Sequence, residues 1–211
     1  MIKGLFVGFF ILFGAIQCLA QEQGEEKTFR KKAVKYEEII IDSNIYRTNA
    51  SWITFSTGQS INFKDNTLEP NFSTDVHLRA NEYIFGAGYH LTTHEFLIRG
   101  DASTFSSFQK LNNFHLTLGV RRESKKSNLI IFGGPAYCYG YSYHHTDTAG
   151  VVYFQGFSSA GIYAAIDYTY KIFYDLGVGL TFFGSYSGKY PVIGLQAHVY
   201  FSNAFRGKIK K

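Results

Sequence analysis

Residues 171–186 read KIFYDLGVGLTFFGSY, and their side chains alternate between two classes. The even positions from Ile172 to Phe182 are large and apolar, whereas the odd positions are mostly small or polar. A repeat of two residues is typical of a β-strand with two different faces. The flanking segments, back to Phe154 and on to Phe201, alternate in the same way. This part of the chain therefore predicts consecutive strands of one β-sheet.

Eight strand candidates of this kind fall between residues 51 and 201. They cover about 51–63, 72–79, 82–91, 113–121, 128–141, 154–168, 171–186 and 190–201. The connections between them are eight, two, twenty-one, six, twelve, two and three residues long. The first six alternate longer and shorter, which is typical of membrane barrels with long extracellular loops and short periplasmic turns. An even strand number also predicts that both termini lie in the periplasm.

The alternation alone does not say which face is the core, so a secreted, soluble, lipocalin-like barrel is an alternative. Such a barrel has a charged outer face. Residues 127–188 contain only four charged residues, Asp147, Asp167, Lys171 and Asp175, where an average soluble segment of that length contains roughly 15. The small, polar face suits a narrow lumen. We therefore expect the apolar face to contact lipid.

The chain resembles the small eight-stranded outer-membrane β-barrel proteins of Gram-negative bacteria over residues 51–201. Residues 194–201, GLQAHVYF, are similar to the terminal-strand signal that the outer-membrane insertion machinery reads, although ten residues follow Phe201. The resemblance implies an all-β, eight-stranded, antiparallel, up-and-down transmembrane barrel in the cell outer membrane. Its implied partners are outer-membrane lipids, lipopolysaccharide and the insertion machinery.

The ends of the chain predict three further segments. Residues 1–20 have the basic start, twelve-residue apolar run and small final residues of a cleaved signal peptide, with lipidation of Cys18 as the alternative. Residues 21–50 form a polar leader in which 39–41 could be a short strand, the barrel covers 51–201, and 202–211 form a basic tail. Cleavage leaves Cys138 alone, which excludes an intramolecular disulfide.

A polar set falls on the face expected to line the lumen. Its members are Asp75, His77, Arg79, Glu82, His90, His115, Arg121, Asp167, Asp175, Gln196 and His198. The strand count brings Arg79, Glu82, Arg121 and Asp167 to the periplasmic end, where buried opposite charges must pair. We therefore expect a structural network that closes the lumen, and a proton- or ion-conducting path is the alternative.

The sequence indicates no cofactor. The four lumen histidines lie on four strands without the close spacing of metal ligands. The formal net charge of +5 is modest, and a secreted chain has little access to nucleic acid. A lipid-modifying barrel enzyme is an alternative function, but no catalytic set of Ser, His and acid is evident. We expect a structural or surface-binding role through the loops at 92–112 and 142–153.

Overall fold

The computed structural model describes residues 38–48, 50–64, 66–80, 83–93, 109–146, 148 and 152–209. This part of the chain forms eleven β-strands. They are β1 (Glu38–Ile41), β2 (Asn44–Arg47), β3 (Trp52–Asn62), β4 (Thr67–Ala80), β5 (Tyr83–Thr93), β6 (Lys110–Glu123), β7 (Ser127–Thr146), β8 (Val152–Lys171), β9 (Leu176–Tyr186), β10 (Val192–Ser202) and β11 (Phe205–Lys208). A search of the same residues found no helix with the length and apolarity needed to cross a bilayer.

Strands β3 to β10 form a closed antiparallel barrel. Each strand pairs with its neighbours in the chain, and β10 pairs with β3 to close the ring. Following the paired residues once round the barrel from Trp52 leads back to β3 at Asn62, ten residues further along. Such an offset requires the strands to tilt relative to the barrel axis. The predicted eight-stranded antiparallel fold is confirmed.

The two faces of the strands have opposite polarity. On β3, Ser56 and Ser60 are buried inside the barrel, whereas Phe55 and Ile61 are exposed on its outside. The same holds on β9, where Thr181 is buried and Leu180 is exposed. The alternative of a soluble barrel is therefore wrong, because it requires the apolar side chains to be inside.

The outer face carries an apolar band with charge only at its edges. In the described barrel strands, Lys110 and Arg122 at opposite ends of β6 are the charged residues in outward positions. Exposed aromatic side chains lie near both ends of the strands. Toward one end they are Tyr83, Tyr168, Tyr170 and Phe201, and toward the other they are Phe114, Tyr137, Tyr139, Tyr141 and Tyr186. This arrangement is the apolar band with two aromatic girdles found in membrane barrels.

The two ends of the barrel differ in their connections. Residues 81–82, 124–126 and 172–175 connect strands at the end that also carries β2 and β11, which we call the turn end. Residues 63–66, 94–109, 147–151 and 187–191 connect strands at the opposite end, the loop end. Every connection at the loop end is longer than its neighbours at the turn end, so the alternation continues to the last connection.

Two strand ends differ from the sequence prediction. We expected a turn at residues 169–170, but β8 continues through Lys171 and the turn covers 172–175. The N–H groups of Ile172 and Phe173 both donate to the carbonyl of Leu176, at 2.9 and 3.0 Å, and these bonds stabilise the turn. Strands β7 and β8 are each 20 residues long, so they include most of the loop that we expected at 142–153.

A second, three-stranded sheet has the order β1-β2-β11. Asp42 and Ser43 connect β1 to β2 with φ values of 50° and 65°, as a two-residue type I′ hairpin requires. Strand β11 pairs with β2, and the Arg47 N–H donates to the Ala204 carbonyl at 2.7 Å. Parts of both the expected leader and the expected tail are therefore strands. The expected signal peptide, with Cys18, and residues 21–37 lie outside the described residues.

Candidate functional site: the barrel lumen

The lumen contains most of the polar side chains that the sequence analysis selected. Eight of them are buried there: Asp75, His77, His90, His115, Arg121, Asp167, Gln196 and His198. Arg79 also points inward, but its side chain at the turn end is 23% exposed. These residues share one face because they occupy inward positions on five strands, β4, β5, β6, β8 and β10.

One selected residue lies off the barrel strands, and another lies outside the described residues. Asp175 lies in the turn between β8 and β9, because β8 ends later than we expected, and its backbone carbonyl accepts a hydrogen bond from the Ser202 N–H at 2.8 Å. The assignment of Asp175 to the lumen is therefore wrong. Glu82 lies outside the described residues.

The middle of the lumen contains a buried carboxylate–imidazole pair. His115 Nε2 lies 2.6 Å from Asp75 Oδ1, and His115 Nδ1 lies 3.2 Å from Asn113 Oδ1. The imidazole ring also stacks on Tyr163, with centroids 3.9 Å apart and planes inclined by 6°. Asn113 donates in turn to Ser185 Oγ at 2.7 Å. These contacts fix the His115 ring on both edges and on one face.

Glycines on neighbouring strands make room for this pair. Gly88 is opposite Asp75 on β4 and opposite His115 on β6. A Cβ atom at position 88 would collide with both the Asp75 carboxylate and His115 Nε2. The Gly residues of the lumen face thus allow large polar side chains to lie across a narrow barrel.

Neutral hydrogen bonds connect several other lumen residues. The Gln196 amide donates to Asn71 Oδ1 at 2.7 Å and accepts from Ser73 at 3.1 Å. His198 has a hydroxyl beside each ring nitrogen, Thr169 at 2.9 Å and Thr181 at 2.8 Å. Because the Gln196 amide and both His198 ring nitrogens have partners, burying these two side chains costs little.

Glu69 forms a buried contact nearer the loop end. Its carboxylate is fully buried and accepts hydrogen bonds from the Tyr190 hydroxyl, at 2.7 and 2.8 Å from its two oxygens. Sequence reasoning missed Glu69 because it put the residue in a connection. The residue has the same parity as Asp75 on β4, and extending that strand would have found it.

The turn end of the lumen contains an ion cluster around Glu123. One of its carboxylate oxygens, Oε1, lies 2.9 Å from Arg121 Nη2 and 2.5 Å from Lys171 Nζ, and the other lies 3.8 Å from Arg79. We call Arg79, Arg121, Glu123 and Lys171 the turn-end cluster. The sequence analysis selected only the two arginines. Glu123 lies two residues after Arg121 on β6, and Lys171 lies four residues after Asp167 on β8. The two-residue alternation could therefore have placed Glu123 and Lys171 on the lumen face.

Aromatic and amide groups surround the two buried cations. The Arg121 guanidinium lies 4.2 Å from the Trp52 ring centroid, its Nε donates to Asn128 at 2.5 Å, and its Nη2 lies 3.1 Å from the Tyr200 hydroxyl. Lys171 Nζ lies 3.9 Å from the ring centroid of Tyr174 in the turn. Such cation–π contacts are attractive when the cation is desolvated.

Tyr174 connects the turn-end cluster to the three-stranded sheet. Its ring packs against Tyr46 of β2, with centroids 5.2 Å apart. Burial, together with the neighbouring Glu123 carboxylate, raises the pKa of the Tyr174 hydroxyl well above its usual value. The hydroxyl therefore stays protonated and acts as a hydrogen-bond donor toward Glu123.

Asp167 does not join the turn-end cluster. It is buried between Ile130 and Thr181 in the strand register, and its Oδ1 has no hydrogen-bond partner within the described chain. No ion pair found among the described residues includes it. The expected pairing of Asp167 with a basic residue at this end is therefore not observed, because the barrel offset puts it further along the lumen.

Metal-binding chemistry finds no support in the described residues. No group of three or more His, Cys, Asp or Glu side chains there could hold a metal ion. The lumen histidines contact hydroxyls, aromatic rings or the Asp75 carboxylate instead. What this arrangement offers chemically is a set of fixed hydrogen bonds and ion pairs across the barrel.

Comparison with solved structures identifies barrels of the same kind. The Neisserial surface protein NspA matches with a TM-score of 0.52 and 11% identity, covering 72% of this chain and 94% of that protein. The attachment invasion locus protein Ail of Yersinia pestis has a TM-score of 0.48 and 10% identity, covering 72% and 95%. The N-terminal β-barrel domain of Pseudomonas aeruginosa OprF has a TM-score of 0.45 and 10% identity, covering 72% and 96%.

These likenesses concern the fold. At 11% identity, NspA shares the eight-stranded transmembrane barrel with this chain, as the sequence resemblance predicted. No protein-family model matches the chain, and no curated protein matches it either.

Proposed function

We propose that this protein is an integral outer-membrane β-barrel with a structural or surface-binding role, and that it is not an enzyme. The apolar outer band carries this proposal. Its edges are Lys110 and Arg122, twelve residues apart on one strand. At about 3.3 Å per residue and a tilt of about 40°, they are separated by about 30 Å along the barrel axis. That distance agrees with the hydrocarbon thickness of a bilayer.

The connections support an orientation with the turn end in the periplasm. Short turns and both chain ends belong to the periplasmic side of such barrels, and longer loops belong to the cell surface. The loop end has the longest connection, residues 94–109. Strands β7 and β8 pair with each other beyond the last pairs of their outer neighbours, at Lys110 and Tyr186. This hairpin and the long loop are the candidate surface for lipopolysaccharide or an extracellular ligand.

The side chains of the lumen support a closed barrel. Large rings lie across it, including Trp52, Phe132, Tyr163 and Phe183, all at most 4% exposed. The turn-end cluster adds an ion pair between β6 and β8. A lumen filled in this way serves stability rather than conduction. The carboxylate–imidazole pair has the same structural role, since it is buried among lumen side chains instead of facing lipid.

Membrane fractionation and gel mobility test the location and the barrel. We expect the protein in the outer-membrane fraction, with different gel mobility before and after boiling because a closed barrel resists detergent. Recovery from the soluble periplasm, with one mobility throughout, would exclude the membrane assignment. Planar-bilayer recordings test the lumen, where we expect no stable large pore and where a steady porin-like conductance would refute closure.

Limited proteolysis of intact cells tests the orientation. Trypsin should cut the long loop, for example at Arg99, and spare the 124–126 turn with Lys125 and Lys126 until the outer membrane is permeabilised. The reverse order of cutting would mean that the barrel is inverted and that the binding surface has been assigned to the wrong end. A purified-protein assay on labelled lipopolysaccharide tests the enzyme alternative, and turnover there would refute the non-enzymatic role.

A further inference from the structure

The two innermost cations of the turn-end cluster share a single carboxylate oxygen. Arg121 and Lys171 both contact Glu123 Oε1, and their side chains are only 1% and 0% exposed. Two buried positive charges therefore face one negative charge. Because charge is poorly solvated inside a protein, such an excess favours binding of a further negative group.

Several hydrogen-bond donors at the same place have no partner. Arg121 Nη1, Trp52 Nε1 and Asn128 Nδ2 are buried and have no partner within the described chain. They belong to one group, because the Arg121 guanidinium lies against the Trp52 ring and is hydrogen-bonded to the Asn128 side chain. Buried donors in native proteins are nearly always satisfied. A hydrogen-bond acceptor placed among these donors would satisfy them.

We propose that the turn end of the lumen binds a small monovalent inorganic anion of the halide class beside Arg121. Such an anion supplies a negative charge and a hydrogen-bond acceptor together. The two buried cations exceed Glu123 by one positive charge, since the third cation, Arg79, is 23% exposed and reaches solvent. This excess favours a monovalent ion. The tight surroundings, in which Trp52 and Tyr200 are at most 3% exposed, favour a small one. Entry is from the turn end, where Glu123 and Arg79 are partly exposed.

This site is separate from the loop-end surface of the proposed function and does not depend on it. Trp52 provides a built-in reporter, because it is the only tryptophan in the chain. The refolded protein in detergent micelles is titrated with bromide, which quenches indole emission on contact, while gluconate keeps the ionic strength constant. We expect quenching that saturates. Two charge variants are compared. Arg121→Gln should weaken the apparent bromide affinity about tenfold or more, whereas Lys189→Gln, at an exposed position of the 187–191 connection, should leave it unchanged.

A second variant keeps the test decisive if Arg121→Gln does not fold. Asn128→Asp preserves the acceptor for Arg121 Nε and introduces a fixed carboxylate that should replace the anion, so saturable quenching should disappear while heat-modifiable gel mobility is retained. Quenching that is linear in bromide and equal in the wild type and both variants would overturn the proposal, since water would then be the acceptor. Saturable quenching that survives Asn128→Asp unchanged would overturn it as well.

Discussion

Replacing Glu123 with glutamine tests the turn-end cluster directly. The substitution keeps the size of the side chain but removes the only carboxylate that contacts Arg121 and Lys171 in the described structure. Tyr174 also loses its charged acceptor. The expected result is a less stable barrel, because two buried cations then lack a counter-charge.

The expected decrease in the free energy of unfolding follows from the burial of the ion-pair partners. Removing one member of a fully buried ion pair costs about 3–5 kcal/mol. The Glu123 side chain is 12% exposed, and a glutamine oxygen can still accept one hydrogen bond. We therefore expect Glu123→Gln to lower the free energy of unfolding by about 2–3 kcal/mol. The double variant Glu123→Gln with Lys171→Met should recover part of that loss, because it also removes a cation that has lost its partner.

The assay is urea unfolding of the barrel refolded in lipid vesicles, followed by Trp52 fluorescence and by the gel mobility of the folded form. Asp175→Asn is the matched control, since it makes the same chemical change in the neighbouring turn, and we expect a change within about 0.5 kcal/mol. Equal stability of the Glu123 and Asp175 variants would refute the cluster as a stabilising element. So would the absence of any coupling between Glu123 and Lys171.

Three further predictions concern the lumen, the outer band and the N-terminus. Gly88→Val should prevent the carboxylate–imidazole pair from forming and lower the free energy of unfolding by about 1–3 kcal/mol. Gly184→Ala is the control and should be tolerated, because its Cβ would have its nearest neighbour at 3.8 Å. Equal thermal unfolding of the two variants would contradict this. Leu116→Arg at the middle of the band should cost about 2–4 kcal/mol and Ile61→Arg near its edge about 0–1, as measured by urea unfolding, and the absence of a depth dependence would argue against a membrane-facing band. The intact mass of the mature protein should correspond to a chain that starts at Gln21. Detection of an acylated Cys18 would show instead that the chain is a lipoprotein.

The period of two in the sequence predicted the strands well, because a strand with one lumen face and one lipid face must alternate. It failed at the end of β8. Ile172 and Tyr174 continue the apolar phase of the following strand, so the pattern looks unbroken. Main-chain hydrogen bonds to the Leu176 carbonyl end the strand there, and no side-chain pattern encodes them. The assignment of Asp175 to the lumen failed for the same reason.

The sequence predicted which residues line the lumen better than it predicted which of them contact one another. The two-residue alternation alone predicted that Asp75, His115 and Arg121 point into the lumen. Which groups meet depends on the offset between strands around the whole barrel, and this cannot be obtained from one strand at a time. Arg121 therefore pairs with Glu123 on its own strand, two residues along, while Asp167 lies between Ile130 and Thr181.

The three-stranded sheet has a consequence for how the barrel stays shut. Strands β3 and β10 pair to close the barrel. Strand β2 comes directly before β3 in the chain, and β11 comes directly after β10. Once β10 has paired with β3, the segment after Phe201 is held near β2 at a high effective concentration. The coupling is reciprocal, so the β2–β11 pair must oppose separation of β3 from β10 to the same extent. Strand β11, which follows the terminal aromatic Phe201, thus opposes opening of the membrane barrel along the seam between β3 and β10.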